Sequence, residues 1–115
     1  MITVQTEWVM PNEYPDLRGA DEIAIDLETR DPDLKSKGSG AIIGNGEVVG
    51  IAVAVDGYKG YFPIAHEIGP NLDRKKTLEW FKDICESPAT KIFHNAMYDV
   101  SWIRNLGIKI NGLIV

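Results

Sequence analysis

Cysteine is nearly missing from this sequence. With Cys85 alone, no intrachain disulfide can form, which fits a reducing compartment. Met1-Ile2-Thr3-Val4-Gln5-Thr6-Glu7 has neither the basic start nor the long apolar stretch of a signal peptide, so no leader is expected. Together these point to the cytoplasm. No apolar run approaches the roughly 20 residues that span a bilayer, so no membrane partner is expected. Positive charge is also in the minority, with 12 Lys and Arg against 17 Asp and Glu and a net charge of −5. That argues against gripping nucleic acid through a broad basic surface. It leaves room for holding phosphate through divalent cations, which invert the local field. Internal repeats and low-complexity tracts are absent as well. What remains is ordinary globular composition at 115 residues, enough for one small domain with a real core.

The pattern along the chain predicts a mixed α/β fold. Residues 1–21, with Trp8, Val9, Pro11, Pro15 and Gly19, read as an extended lead-in that packs on the domain formed by residues 22–115. Residues 22–28 are dense enough in apolar side chains for a strand. Residues 31–46 read as a polar, glycine-rich loop. Residues 48–55 make a strong strand, Asp56-Gly57 a turn, and residues 58–64 the returning strand of a hairpin. Asp73 caps a helix through Ser87, with Leu78, Phe81, Ile84 and Cys85 on its apolar face. A short strand holds Ile92-Phe93. A second helix spans 97–106, where Val100, Ile103 and Leu106 recur at threes and Gly107 supplies the stop. Residues 108–115 read as a last strand, broken at Asn111-Gly112. An antiparallel three-stranded start followed by strand-helix-strand-helix-strand implies a mixed sheet with helices against it.

The chemistry-bearing feature is Asp26-Leu27-Glu28, at the end of the apolar run Ile23-Ala24-Ile25. Strand residues two apart share a face, so the carboxylates at 26 and 28 stand side by side. Such a pair calls for solvent or a cation. By itself the pattern means little, since a chain of this composition yields an Asp-x-Glu about 0.6 times by chance. A second acidic site, His94-Asn95-Ala96-Met97-Tyr98-Asp99, changes that. Asp99 falls in the first turn of the second helix, directly after a strand. In open α/β sheets such strand ends and helix starts converge on one edge, where ligands bind. If the strands are neighbours, Asp26, Glu28 and Asp99 can meet and form an oxygen-rich site suited to Mg²⁺ or Mn²⁺. Two such ions about 4 Å apart can activate water and stabilise a leaving oxygen in phosphodiester hydrolysis.

These residues carry a resemblance. Ile-Ala-Ile-Asp26-Leu-Glu28-Thr29 resembles the first exonuclease motif of the DEDD 3′–5′ exonuclease superfamily, and His-Asn95-Ala-Met-Tyr-Asp99 resembles the second. Between them, Val-Val-Gly-Ile-Ala-Val-Ala-Val and Tyr-Phe-Pro-Ile-Ala-His-Glu are similar to the proofreading domain of family A DNA polymerases, the polymerase I type. The likeness covers residues 22–115. It implies an RNase H-like fold and a Mg²⁺- or Mn²⁺-dependent nuclease releasing nucleotides from the single-stranded 3′ end of DNA, in the company of a polymerase domain. By matching position, Asp26, Glu28 and Asp99 would be catalytic metal ligands. Thr29 would lie near the terminal nucleotide, Asn95 would support the site, and Tyr98 is the candidate for touching substrate by its location.

The resemblance also implies a third motif, with a fourth carboxylate and a Tyr or His that orients water, which this stretch does not contain. Its sheet is expected to be incomplete at the C-terminus, and the chain weak or inactive by itself as part of a truncated or split nuclease. An unpaired apolar terminal strand would invite self-association. The contrasting reading is a catalytically inert scaffold or interaction domain. Simpler roles are assigned elsewhere: His66 and His94 are structural, Cys85 belongs to the core, and Tyr58, Tyr61, Phe62, Trp80 and Trp102 pack rather than stack on bases. The glycines at 38, 40 and 44 lack P-loop spacing and mark a mobile loop.

Overall fold

Alternation of apolar and small or polar side chains builds the sheet of this protein, which a computed structural model describes over residues 9–115. The segment Met1–Glu7 and Trp8 lie outside the described residues. Strand β1 (Glu22–Arg30) buries Ile23, Ile25 and Leu27 and exposes Asp26 and Glu28. Two four-residue helices, α1 (Leu34–Lys37) and α2 (Gly40–Ile43), precede β2 (Glu47–Val55) and β3 (Tyr58–Pro63). Helix α3 (Arg74–Glu86), β4 (Thr90–Phe93) and α4 (Ala96–Asn105) complete the order. The four strands lie as β3-β2-β1-β4, with β1–β2 and β2–β3 antiparallel and β1–β4 parallel. This is a mixed sheet consistent with an RNase H-like fold.

One face of that sheet carries the core. Ile23, Ile25, Leu27, Ile51, Val53 and Phe62 join the buried residues of α3 (Phe81, Ile84, Cys85) and α4 (Val100, Trp102, Ile103) in a single cluster. The lead-in contributes Leu17 and Tyr14. Tyr14 stacks on Phe62 with ring centroids 5.9 Å apart and shares a 2.7 Å hydrogen bond with Thr77. Trp80 donates its indole N–H to the Pro15 carbonyl at 2.7 Å.

Helix α3 starts where its capping residue dictates: the Asp73 carboxylate accepts from the Lys76 N–H at 2.9 Å. Helix α4 stops at Gly107, whose φ of +80° is a left-handed geometry that glycine adopts freely.

Two expectations need correction. The segment 31–46 is not a bare loop, since α1 and α2 form within it. The Asp31 carboxylate accepts twice from the Gly40 N–H (3.0 and 3.1 Å), and Asn45 donates to Asp33 at 2.6 Å. These contacts close the segment on itself, and Asn105 of α4 ties it down by donating to the Ala41 carbonyl.

Residues 108–115 do not form a strand either. Asn111 is drawn towards the end of α3 by donating to the Cys85 and Glu86 carbonyls, and Gly112 turns at φ +80°. Beyond the break at Asn111-Gly112, only 113–115 run alongside β4 in parallel: the Lys91 N–H donates to the Leu113 carbonyl at 2.8 Å, the Val115 N–H to the Lys91 carbonyl at 2.9 Å and the Phe93 N–H to the Val115 carbonyl at 3.0 Å. Lys91 itself is fully buried. Its ammonium donates to the Ser87 carbonyl, to the Asn111 carbonyl at 2.8 Å and to the Ser87 hydroxyl at 3.3 Å, and burial lowers its pKa. Leu113, Ile114 and Val115 stay exposed.

Candidate active site

The other face of the sheet is built from small residues. Ala24 stands opposite Ala54, Asp26 opposite Ala52, and Glu28 opposite Gly50. These residues leave a groove of about 1530 Å³ whose lining includes Ala24, Asp26, Ala52, Tyr61, His66 and His94. Asp26, which lines the groove, and Glu28, two residues further along β1, are both exposed.

Strand pairing creates the opening that the third carboxylate fills. The ladder between β1 and β4 ends at Ile25 opposite Phe93. Beyond it β4 leaves the sheet, and Asn95 caps α4 by accepting from the Tyr98 N–H at 3.5 Å. One turn into α4, Asp99 comes back beside β1 and is 3 % exposed. Its pKa is pushed up to about 6, first by burial and then by the charge of Asp26; the Leu27 backbone N–H and His94 pull the other way. Its Oδ2 is buried without a hydrogen-bond partner. A buried carboxylate oxygen without a donor, next to a second carboxylate, is destabilising until a cation or proton arrives.

Glu28 is placed differently. It accepts a 3.1 Å hydrogen bond from the Tyr61 hydroxyl, which is also bonded to His66 Nε2. Of the three carboxylates, Asp26 and Asp99 are brought together, while Glu28 stands one step along the same face. No group of three His, Cys, Asp or Glu that could hold a metal forms among the described residues. The donor chemistry still suits a hard divalent cation, being all oxygen and including one unpartnered buried oxygen.

The remaining predicted residues form a second small network. The Thr29 hydroxyl meets the Tyr98 hydroxyl at 2.9 Å, and Tyr98 donates to Asp31 at 2.7 Å. Thr29 and Tyr98 therefore brace each other, and Asn95 acts as a helix cap. Asp31, the acceptor that joins this network to α2, was missed by sequence reasoning, as were the contact of Tyr61 with Glu28 and that of His66 with Tyr61. For Asp31 the signal was its place three residues past Glu28. For Tyr61 it was the hairpin register, which sets Tyr61 opposite Ala52, next to Gly50.

Comparison with known proteins places the chain in a family. A family model of DNA polymerase A, described as 3′-5′ exonuclease, matches residues 1–115. The chain belongs to the 3′-5′ exonuclease family. It is also 38% identical, over 117 aligned residues and 93% of its length, to a DNA-directed DNA polymerase of Pseudomonas phage M6. It spans 17% of that relative's length. No helix among the described residues is long and apolar enough to cross a membrane.

Proposed function

We propose that this 3′-5′ exonuclease-family chain contributes part of a proofreading-type site that hydrolyses phosphodiester bonds at single-stranded 3′ ends of DNA, in the context of a DNA polymerase. The observation that carries the reading is buried Asp99, its Oδ2 unpartnered, held within the field of Asp26 in the middle of β1. Asp26, Glu28 and Asp99 would hold Mg²⁺ or Mn²⁺. When bound, the ions supply activation of water and stabilisation of the leaving oxygen by a two-metal mechanism.

The chain's own residues have distinct tasks in this reading. Asp26 offers its carboxylate from the open face. Asp99 offers an oxygen already stripped of water, so coordinating it costs little further desolvation. Thr29, Tyr98 and Asn95 would form the wall against which the terminal nucleotide rests, kept in place by their hydrogen bonds to one another and to Asp31. Activity of this chain alone is expected to be weak or nil, because the carboxylates of Asp26, Glu28 and Asp99 are fewer ligands than a two-metal site needs.

The failure of three acidic side chains to converge among the described residues favours a second reading, a catalytically inert scaffold. Thermal melting in chelator and in millimolar Mn²⁺ separates the two. The metal-site reading expects a rise of several degrees by mass action, removed by Asp26→Asn. Identical melting curves in the two buffers would leave only the scaffold.

A further inference from the structure

Glu28 is an exposed carboxylate with three rotatable bonds, and a metal ligand of that kind loses affinity unless something fixes its orientation. The structure supplies a chain of contacts that does so. Val49 forms a bulge in β2, where the register slips between Glu28 and Thr29. Its carbonyl accepts from the N–H groups of both Ile64 and Ala65, which turns the chain beyond β3 and brings His66 back to the sheet. His66 is then clamped through its backbone: its N–H donates to Asn71 Oδ1 and its carbonyl accepts from Asn71 Nδ2, both at 2.9 Å. Its ring stands edge-on to Tyr61, with centroids 5.7 Å apart.

Tyr61 needs space to reach Glu28, and Gly50 provides it. A Cβ on Gly50 would lie 1.8 Å from the Tyr61 hydroxyl oxygen and 2.3 Å from the carbon that bears it. The phenol thus lies over the one position opposite Glu28 that has no side chain. The Tyr61 hydroxyl donates its one proton to Glu28 Oε2, which leaves its oxygen to accept from His66 Nε2. The hydrogen bonds then run from the His66 ring through Tyr61 to Glu28, with Asn71 holding the His66 backbone in place.

We propose that Tyr61, set by His66, is a positioning residue that holds one oxygen of Glu28 and leaves Oε1 presented to the divalent cation. This rests on the metal-site reading above. Neither residue is assigned contact with substrate. Binding is read from the EPR signal of free Mn²⁺ during titration of this chain, with the metal-free melting temperature as a check on folding.

Tyr61→Phe is expected to weaken Mn²⁺ binding about 10- to 100-fold while the metal-free melting temperature stays near that of the wild type. His66→Ala should weaken binding as well, and His66→Gln, which keeps a donor at the end of the side chain, should recover most of it. A purely structural histidine would show no such rescue in metal affinity. Unchanged or tighter binding by Tyr61→Phe overturns the proposal, and so does equal binding by the Ala and Gln variants. If the wild type itself binds no Mn²⁺ and Asp26→Asn changes nothing, the metal-site reading falls and this proposal falls with it.

Discussion

The two faces of the sheet are made from the same strands and do opposite work. On the helix-covered face, Ile23, Ile25, Ile51, Val53 and Phe62 are 2 % exposed or less. On the other, the partners across the same ladder are Ala24, Asp26, Ala52 and Ala54, none of them fully buried. Strand periodicity makes this division possible: every second residue can be given to stability without constraining its neighbours. The carboxylates stand on a platform whose rigidity comes from the far side. Asp99 is the exception that links the two. It belongs to a core-packing helix, yet the charge of Asp26 acts on it.

Substitution tests that division. The largest effect should come from the packed face. Phe62→Ala removes a fully buried ring against Tyr14 and Trp80 and should cost about 3–5 kcal/mol in chemical denaturation. A loss under about 1 kcal/mol would show that the core is not the support described.

The linking residue should behave in the reverse way. Asp99 has its folded pKa raised to about 6, so between roughly pH 4 and 6 the folded chain keeps a proton that the unfolded chain releases. Stability without metal is therefore highest below this window and falls as pH rises through it, by up to about 3 kcal/mol. In chelator at pH 8, Asp99→Asn should melt several degrees above the wild type, and the gap should close near pH 4. Equal melting temperatures at pH 8 would remove the claim that the buried charge is unfavourable. The smallest effect belongs to the open face: Ala54→Ser should change stability by no more than about 0.5 kcal/mol, and a larger loss would reveal that something covers the groove.

What was legible in the sequence follows the range of the forces involved. The alternation in β1 and β2, the Asp73 cap and the Gly107 stop are local, and each appeared where expected. The adjacency of Asp26 and Asp99 was legible because a strand-end argument needs only that β1 and β4 be neighbours. The helices α1 and α2 were not, since four-residue turns have little intrinsic stability and depend on Asp31 reaching Gly40 across nine residues. The break in the terminal segment depends on Asn111 finding carbonyls at the end of α3. Asn95 showed a role that spacing could not separate from site support, since capping uses the same side chain. The Tyr61 contact with Glu28 was illegible because it needs a hairpin register, a bulge and a missing Cβ at once.

Lys91 gives the molecule a property unrelated to nucleotides. Every other lysine among the described residues is exposed, whereas the Lys91 amine is enclosed by the Ser87 and Asn111 oxygens. An acylating reagent would label the surface amines at once and reach Lys91 only in molecules whose α3–β4 junction has come apart. Modification there would also be irreversible in structural terms, because an acylated amine cannot return to a cage shaped for an ammonium. Each labelled Lys91 would be a permanent chemical mark of one opening event.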